Sequence, residues 1–198
     1  MGVIKDIREQ GEGRRFTIEA SATAPKTHIG QSISVSGVCL TCVERNETTF
    51  SLDLMPETMR HTFFGRSVIG DTVNLELPMA LGDELGGHLV YGHVDGVGEI
   101  VKILPESEAI IMTVRMPPPL VRYTAMKGSI AWDGVSLTIM GLDGADVSVS
   151  LVQYTLEHTT LGRKKVGDPM HLETDMILKY LGTLYERYAI GQNMESGI

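Results

Sequence analysis

Two cysteines and six histidines are the side chains of this 198-residue sequence best suited to nucleophilic or proton-transfer chemistry. Cys39 and Cys42 form a C-x-x-C, a spacing that serves redox pairs and halves of zinc sites. The flanking ISVSGVCLTCVE alternates like a strand, where a separation of three sends two side chains to opposite faces, and no second pair completes a metal site. Neither redox nor metal chemistry is expected of them. What singles out Cys39 is its setting, because Gly37-Val38-Cys39-Leu40-Thr41 returns downstream as Gly134-Val135-Ser136-Leu137-Thr138. A thiol in one place and a hydroxyl in the other occupy the same frame.

That frame belongs to a much longer repeat. At an offset of 97 residues, Ser32 to Met79 align without a gap onto Ser129 to Met176 with 18 identities in 48 columns, where ordinary composition gives about three. Each copy reads as β-structure, since segments such as FSLDLM, TVNLEL, AIIMTVRM and VSVSLV are separated by Gly, Asp, Asn or Pro. Short strands in so small a unit imply closure into a barrel, which removes exposed edges. The expected fold is all-β: two tandem Greek-key six-stranded β-barrels, residues 1–87 and 88–174, followed by an α-helix over 175–190 and a frayed tail over 191–198. In that helix Ile177, Leu181, Leu184 and Tyr188 share one face. The stripe either docks on the chain's own barrel or joins copies of the chain.

Composition narrows the partners. Seventeen basic against 25 acidic side chains give a net charge of −8, and no cluster of Lys and Arg could track a phosphate backbone, so nucleic acid is not expected. Apolar runs are broken every few residues, so no membrane span is expected and a cytoplasmic location follows by default.

The segments SVSGVCLTC, LMPETMRHT, GDTVNLE, GGHLVYGHVDG, KGSIAWDGVSLT, LVQYTLEHTTLG and DMILKYL, in this order, resemble the riboflavin synthase family over nearly the whole chain. The resemblance implies two lumazine-binding barrels and a trimerisation helix. It implies a homotrimer with active sites between chains, where the N-terminal barrel of one chain faces the C-terminal barrel of its neighbour. The implied reaction is dismutation of two molecules of 6,7-dimethyl-8-ribityllumazine into riboflavin and 5-amino-6-ribitylaminouracil, with no cofactor and no metal. Lumazine synthase is a further partner to consider. One compound acting as donor and acceptor calls for two pockets of like specificity, which a duplication supplies.

The resemblance places the N-barrel pocket at Cys39, Leu40, Thr41, Glu57, Thr58, Met59, Arg60, His61 and Thr62. It places the C-barrel pocket at Gly92, His93, Val94, Lys127, Ser136, Leu137, Thr138, Leu151, Val152, Gln153, Tyr154, Thr155 and Leu156. His93 is the first choice for proton transfer, Cys39 and Ser136 are nucleophiles or hydrogen-bond partners, and Lys127 would stabilise a developing carbanion. His88, His61 and His158 read as structural. Columns where the copies differ, such as Cys39/Ser136, Arg60/Glu157 and Asn74/His171, are where donor and acceptor sites would diverge. Family members open with Met-Phe-Thr-Gly-Ile ahead of the Gly matching Gly2, so the first barrel is expected to lack an opening strand and to be open or patched. Gly92-His93-Val94 would be the corresponding strand of the second barrel. The rival is a non-catalytic lumazine- or flavin-binding antenna protein; Cys39, Lys127 and the Ser136-Leu137-Thr138 run favour the enzyme.

Overall fold

A computed structural model describes residues 1–195 of the chain. Two antiparallel barrels follow one another. The first contains β1 (Gly2–Gln10), β2 (Gly13–Glu19), β3 (Ser32–Val35), β4 (Val38–Arg45), β5 (Thr49–Leu54), α1 (Pro56–His61), β6 (Thr72–Val73) and β7 (Leu75–Glu76). The second contains β8 (Gly96–Glu106), β9 (Ala109–Arg115), α2 (Pro118–Val121), β10 (Ser129–Trp132), β11 (Val135–Asp143), β12 (Asp146–Val152), α3 (Gln153–His158) and β13 (Pro169–Thr174). Each has its own core, built on Phe16, Phe50, Leu52 and Phe64 in the first and on Trp132, Ile100, Met112 and Val149 in the second.

The duplication is visible in atomic detail. The register slips between Ile4 and Asp6 in β1 and between Ile100 and Lys102 in β8, and again between Cys42 and Glu44 in β4 and between Ile139 and Gly141 in β11. Such bulges bend strands sharply enough to close a small sheet. Gly2 and Gly98 are forced alike. A Cβ on Gly2 would lie 2.7 Å from Ile18 and Leu75, and one on Gly98 would lie 2.6 Å from Val114 and 2.9 Å from Leu172.

The second barrel closes in the order β10-β11-β12-β9-β8-β13. The first is nearly closed and has seven strands rather than six, because its last strand is split at Asn74 into β6, which pairs with β1, and β7, which pairs with β3. The β1 ladder on that strand stops at Gly2 opposite Val73, whereas in the second barrel it continues through Val97 and Gly96 to Leu172. The first barrel therefore does not lack a whole strand, since β1 is its opening strand. The shortfall is a seam beside β7, where nothing among the described residues pairs on the β1 side. A second expectation is corrected as well. Gly92-His93-Val94 is not a strand of the second barrel, because β8 begins at Gly96 and Val94 packs on the core of the first.

The barrels meet around a local two-fold relation at Gly37 and Gly134, both at φ +81°, where a Cβ on either would come within 2.8 Å of the other's backbone nitrogen. Asn74 and His171 then act as reciprocal clasps. Asn74 Nδ2 donates to Asp133 O at 3.0 Å while its Oδ1 accepts from Thr160 N at 2.8 Å. His171 Nδ1 donates to Ser36 O at 2.8 Å while its Nε2 accepts from Phe63 N at 3.0 Å. The Asn74/His171 difference thus belongs to the barrel contact rather than to any divergence between donor and acceptor sites. His171 is 1% exposed and stacks on Phe63 at 3.6 Å. Burial pushes its imidazole down to about 4, against the pull of Asp133.

The last element, α4 (Met176–Glu195), is capped by Asp175, whose carboxylate accepts Ile177 N–H. Lys179 binds Asp95, and Gly182 seats the helix on the Tyr123 ring, which a Cβ would meet at 2.9 Å. The helix runs past the expected end at residue 190, and 196–198 of the expected tail lie outside the described residues. Ile177, Leu181 and Leu184 are each at least 55% exposed, so these three do not dock on the chain's own barrels.

The His171 clasp predicts acid lability. The unfolded chain takes up a proton there near pH 6.5 and the folded chain only near 4. Its stabilising effect is whole above about pH 6.5 and is lost as the pH falls toward 4, by about 3 kcal/mol in all. His171→Asn, the first copy's own solution, loses ring stacking but should also lose most of this pH dependence in urea melts at pH 7.5 and 4.5. A variant as acid-sensitive as the parent would refute the assignment.

Candidate functional site

Along β4 the side chains alternate: Leu40 and Cys42 enter the barrel core, while Cys39 and Thr41 lie on the outer face. Both cysteines are free thiols, and burial pushes the Cys42 thiol up. Along β11 Ser136 and Thr138 are exposed at the equivalent outer positions, while Leu137 packs inward. The candidate pockets are therefore on the outside of each barrel. Leu151, on β12, is also a core residue, so Leu40 and Leu151 can offer a ligand only backbone.

α1 leaves β5, the strand paired with β4, and α3 leaves β12, the strand paired with β11. Each helix thus adjoins its half-site through the neighbouring strand. In α1 Glu57 binds Arg60 at 2.5 Å and His61 at 2.9 Å, and Arg60 foremost holds its carboxyl below the usual range. Thr58 and Met59 are half-buried, Met59 against the first core. Thr62 is spent internally, donating to Thr58 O at 2.6 Å and accepting from Phe64 N at 3.3 Å. Thr159 does the same for Thr155 O and Leu161 N. In α3 Gln153 binds Glu157, Tyr154 stacks on His158 at 4.0 Å, and Leu156 packs on the second core. Val152 and Tyr154 stay exposed. Both walls offer apolar surface with a few polar groups, the composition that takes a flat heterocycle.

The resemblance places Gly92, His93 and Val94 in the C-barrel pocket, whereas the structure lays this segment against Cys39 of the first barrel. Cys39 N–H donates to Gly92 O at 2.8 Å, and a Cβ on Gly92, at φ +76°, would fall 2.8 Å from that of Cys39. What holds the segment is Glu173. Its buried carboxylate accepts the backbone N–H groups of Tyr91, Gly92 and His93 at 2.7, 2.9 and 3.1 Å. His93 is exposed beside Cys39's strand.

The C-terminal half-site brings together Ser136, Thr138 and Lys127. Lys127 N–H donates to Ile139 O, next to Thr138. Its backbone sits at φ +64°, and its counterpart in the first copy is Gly30 at φ +85°. A lysine thus stands where the backbone favours glycine, at a cost of about 1 kcal/mol. His88, read from sequence as structural, makes a hydrogen bond between its Nδ1 and Ser136 Oγ at 2.7 Å. Neither His88 nor Glu173 was singled out as a site residue. For Glu173 a sequence signal did exist, because Glu76 repeats it in the first copy.

Among the described residues no group of three His, Cys, Asp or Glu is placed to hold a metal ion, and no helix is long and apolar enough to cross a membrane. Two surface hollows, of about 320 and 550 Å³, are lined by Gln10, Asp53, Met55 and Pro56, at the start of α1, and by Glu99, Arg115 and Pro117 respectively.

Comparison with known proteins accounts for this duplicated layout. Residues 1–78 and again 91–175 match the family described as the lumazine binding domain. A riboflavin synthase of Mycobacterium bovis is 42% identical over 193 residues, covering 90% of this chain and 95% of that protein. The riboflavin synthase of Bacillus subtilis is 40% identical over 180 residues, covering 91% and 84%. In fold, the chain resembles LumP in crystals with riboflavin, at a TM-score of 0.81 and 24% identity over 87% of this chain and 94% of that one. With two matched lumazine-binding repeats and relatives of this identity along most of its length, the chain belongs to the riboflavin synthase family.

Proposed function

We propose that the protein is a riboflavin synthase that dismutates two molecules of 6,7-dimethyl-8-ribityllumazine, transferring a four-carbon unit from one to the other. The observation that carries this reading is the pair of equivalent outer-face half-sites, Cys39-Leu40-Thr41 and Ser136-Leu137-Thr138, on two copies of one barrel. Donor and acceptor are the same compound, so one recognition surface used twice meets the need. The transfer is redox-neutral for the pair of molecules taken together and calls for proton movement rather than an external electron carrier. His93, exposed near Cys39, is the proton-transfer group of the N-terminal half-site. Lys127 supplies positive charge at the C-terminal one, where a carbanion formed from the ring-seven methyl would be stabilised.

Each half-site is an open face. Enclosing the reactants requires a second chain, and the exposed stripe of α4 is the surface proposed to bring chains together as a homotrimer. Incubating the pure protein with the lumazine and following riboflavin absorbance tests the activity; binding without riboflavin formation would leave an antenna protein instead. Mixing separately inactive Thr41→Ala and Ser136→Ala proteins should restore part of the turnover through mixed trimers. No recovery in mixed trimers shown to form would count against a site shared between chains. Leu181→Glu with Leu184→Glu should give folded monomers in sedimentation, and a trimer that persists would exclude the helix as the assembly element.

Lys127 gives a test in which stability and activity move in opposite directions. Lys127→Gly should raise stability by up to about 1 kcal/mol, because the backbone strain is relieved, and lower turnover at least tenfold. Retained turnover, or a loss of stability, would show that the lysine is there for a structural reason.

A further inference from the structure

Residues 77–95, between β7 and β8, form neither strand nor helix. The segment touches both half-sites on its way between the barrels. A Cβ on Gly87 would lie 2.4 Å from Ser136 Oγ, and one on Gly92 would lie 2.8 Å from Cys39 Cβ. A chain without its own ladder keeps its place through its anchors. At the Cys39 end these come largely from the last strand of the second barrel and from α4. Glu173 accepts the three N–H groups of Tyr91 to His93, and Asp95 N–H donates to Leu172 O at 2.8 Å. The Asp95 side chain then makes a second clamp. Its Oδ2 accepts Thr174 N–H at 2.7 Å and the Thr174 hydroxyl at 2.8 Å, and Lys179 Nζ spans its two oxygens at 2.7 and 2.8 Å. The Asp95 and Lys179 side chains are each less than a fifth exposed. An ion pair held so far out of water, with further hydrogen bonds on the carboxylate, is costlier to break than a surface pair.

We infer that Lys179 is a positioning residue of the N-terminal half-site: by clamping Asp95 to the first turns of α4, it fixes the segment that sets His93 beside Cys39. The inference rests on the riboflavin synthase reading for its catalytic consequence, and on the hydrogen bonds alone for the clamp. Glu173 holds the backbone up to His93 and Asp95 holds it two residues further on, so the imidazole is carried by a peptide fixed on both sides. A proton-transfer group needs that precision, because a displacement of about 1 Å can cost about a hundredfold in rate. Lys179 is itself fixed, its N–H donating to Asp175 O at 3.2 Å in a helix that Gly182 seats on Tyr123. The clamp thus ties the Cys39 side of the first barrel to the element whose exposed stripe is proposed to join chains. It is a device of the second copy. At the offset of 97, Thr174 falls on Leu77 and Lys179 on Gly82, and neither has a side chain that could donate to a carboxylate.

The test uses the full chain and two readouts, one of which needs no activity. Cys39 packs against Gly92, so its alkylation by iodoacetamide, with buried Cys42 as the internal control, reports whether the segment is in place. Lys179→Met keeps the apolar stem and removes the charge, while Asp95→Asn removes the charge of the other partner and leaves α4 unaltered. Each should raise the rate of Cys39 alkylation about tenfold, with Cys42 still unreactive. Each should also lower kcat about a hundredfold, with lumazine affinity kept within about threefold. Lys179→Arg, whose fork also fits a carboxylate, should keep both readouts near the parent values. Unchanged Cys39 reactivity in both Lys179→Met and Asp95→Asn overturns the clamp, and a faster-reacting Cys39 with unchanged kcat overturns the positioning role. A parent protein that binds lumazine but forms no riboflavin overturns the functional reading, and the alkylation of Cys39 still decides the clamp.

Discussion

The arrangement of this chain depends on how closely two turns approach at Gly37 and Gly134. Side chains at either position would collide with the facing backbone, so the barrels press together only because both turns carry glycine in a left-handed conformation. The residue before each glycine, Ser36 or Asp133, is forced to positive φ as well. It meets the clasp residue of its own barrel and the reciprocal clasp of the other. Cys39 and Ser136 lie two residues beyond the turns, so the same contact that joins the barrels fixes the placement of both candidate reactive groups.

Where the copies have diverged, the divergence is chemically consistent. The second barrel carries an ion pair at this contact, Lys164 with buried Asp133 at 2.6 Å, where the first has two serines, Ser67 and Ser36. Glu173 and Glu76 make a sharper comparison. Glu173 is satisfied by three backbone N–H groups of the segment that reaches over to Cys39. Glu76, at the equivalent place beside the seam, accepts no such amides among the described residues, and partial burial pushes its carboxyl up. The second copy thus turns a carboxylate into a peptide cradle, and through it one barrel's last strand positions the other barrel's site.

Much of this was legible in the sequence. The offset of 97 revealed the duplication, alternation around Cys39 separated core from surface, and the Ile177-Leu181-Leu184-Tyr188 spacing marked the helix and its apolar stripe, though not whether that stripe is covered. What could not be read was which barrel the Gly92-His93-Val94 segment serves. The resemblance assigns it to the second, and only the bond from Cys39 N–H to Gly92 O and the packing of Val94 on the first core place it beside the first, while Glu173 of the second barrel holds it there. Asn74 and His171 were misread for a related reason. A difference between aligned columns shows that two environments differ, but an amide and an imidazole can present one acceptor and one donor in the same geometry. His88 carried no repeat, motif or periodicity, and its bond to Ser136 is set by tertiary approach at Gly87.

The location of the half-sites follows from barrel size. A six-stranded barrel is too narrow to enclose both a packed core and a tricyclic product, and here Phe16, Phe50 and Phe64 fill one interior and Trp132 with Met112 the other. Recognition therefore falls to the outer face, where side chains of alternating strands stand clear of the core but where one barrel supplies only one wall. The proposed reaction between two copies of one molecule would turn that limitation to use. Each open face would need to hold a single flat ring, and bringing two faces together would exclude water from the bond-forming region at the moment both rings are present. Two related but diverged barrels in one chain, each unable to enclose a ligand alone, are a physical argument for an assembly in which unlike faces of neighbouring chains meet.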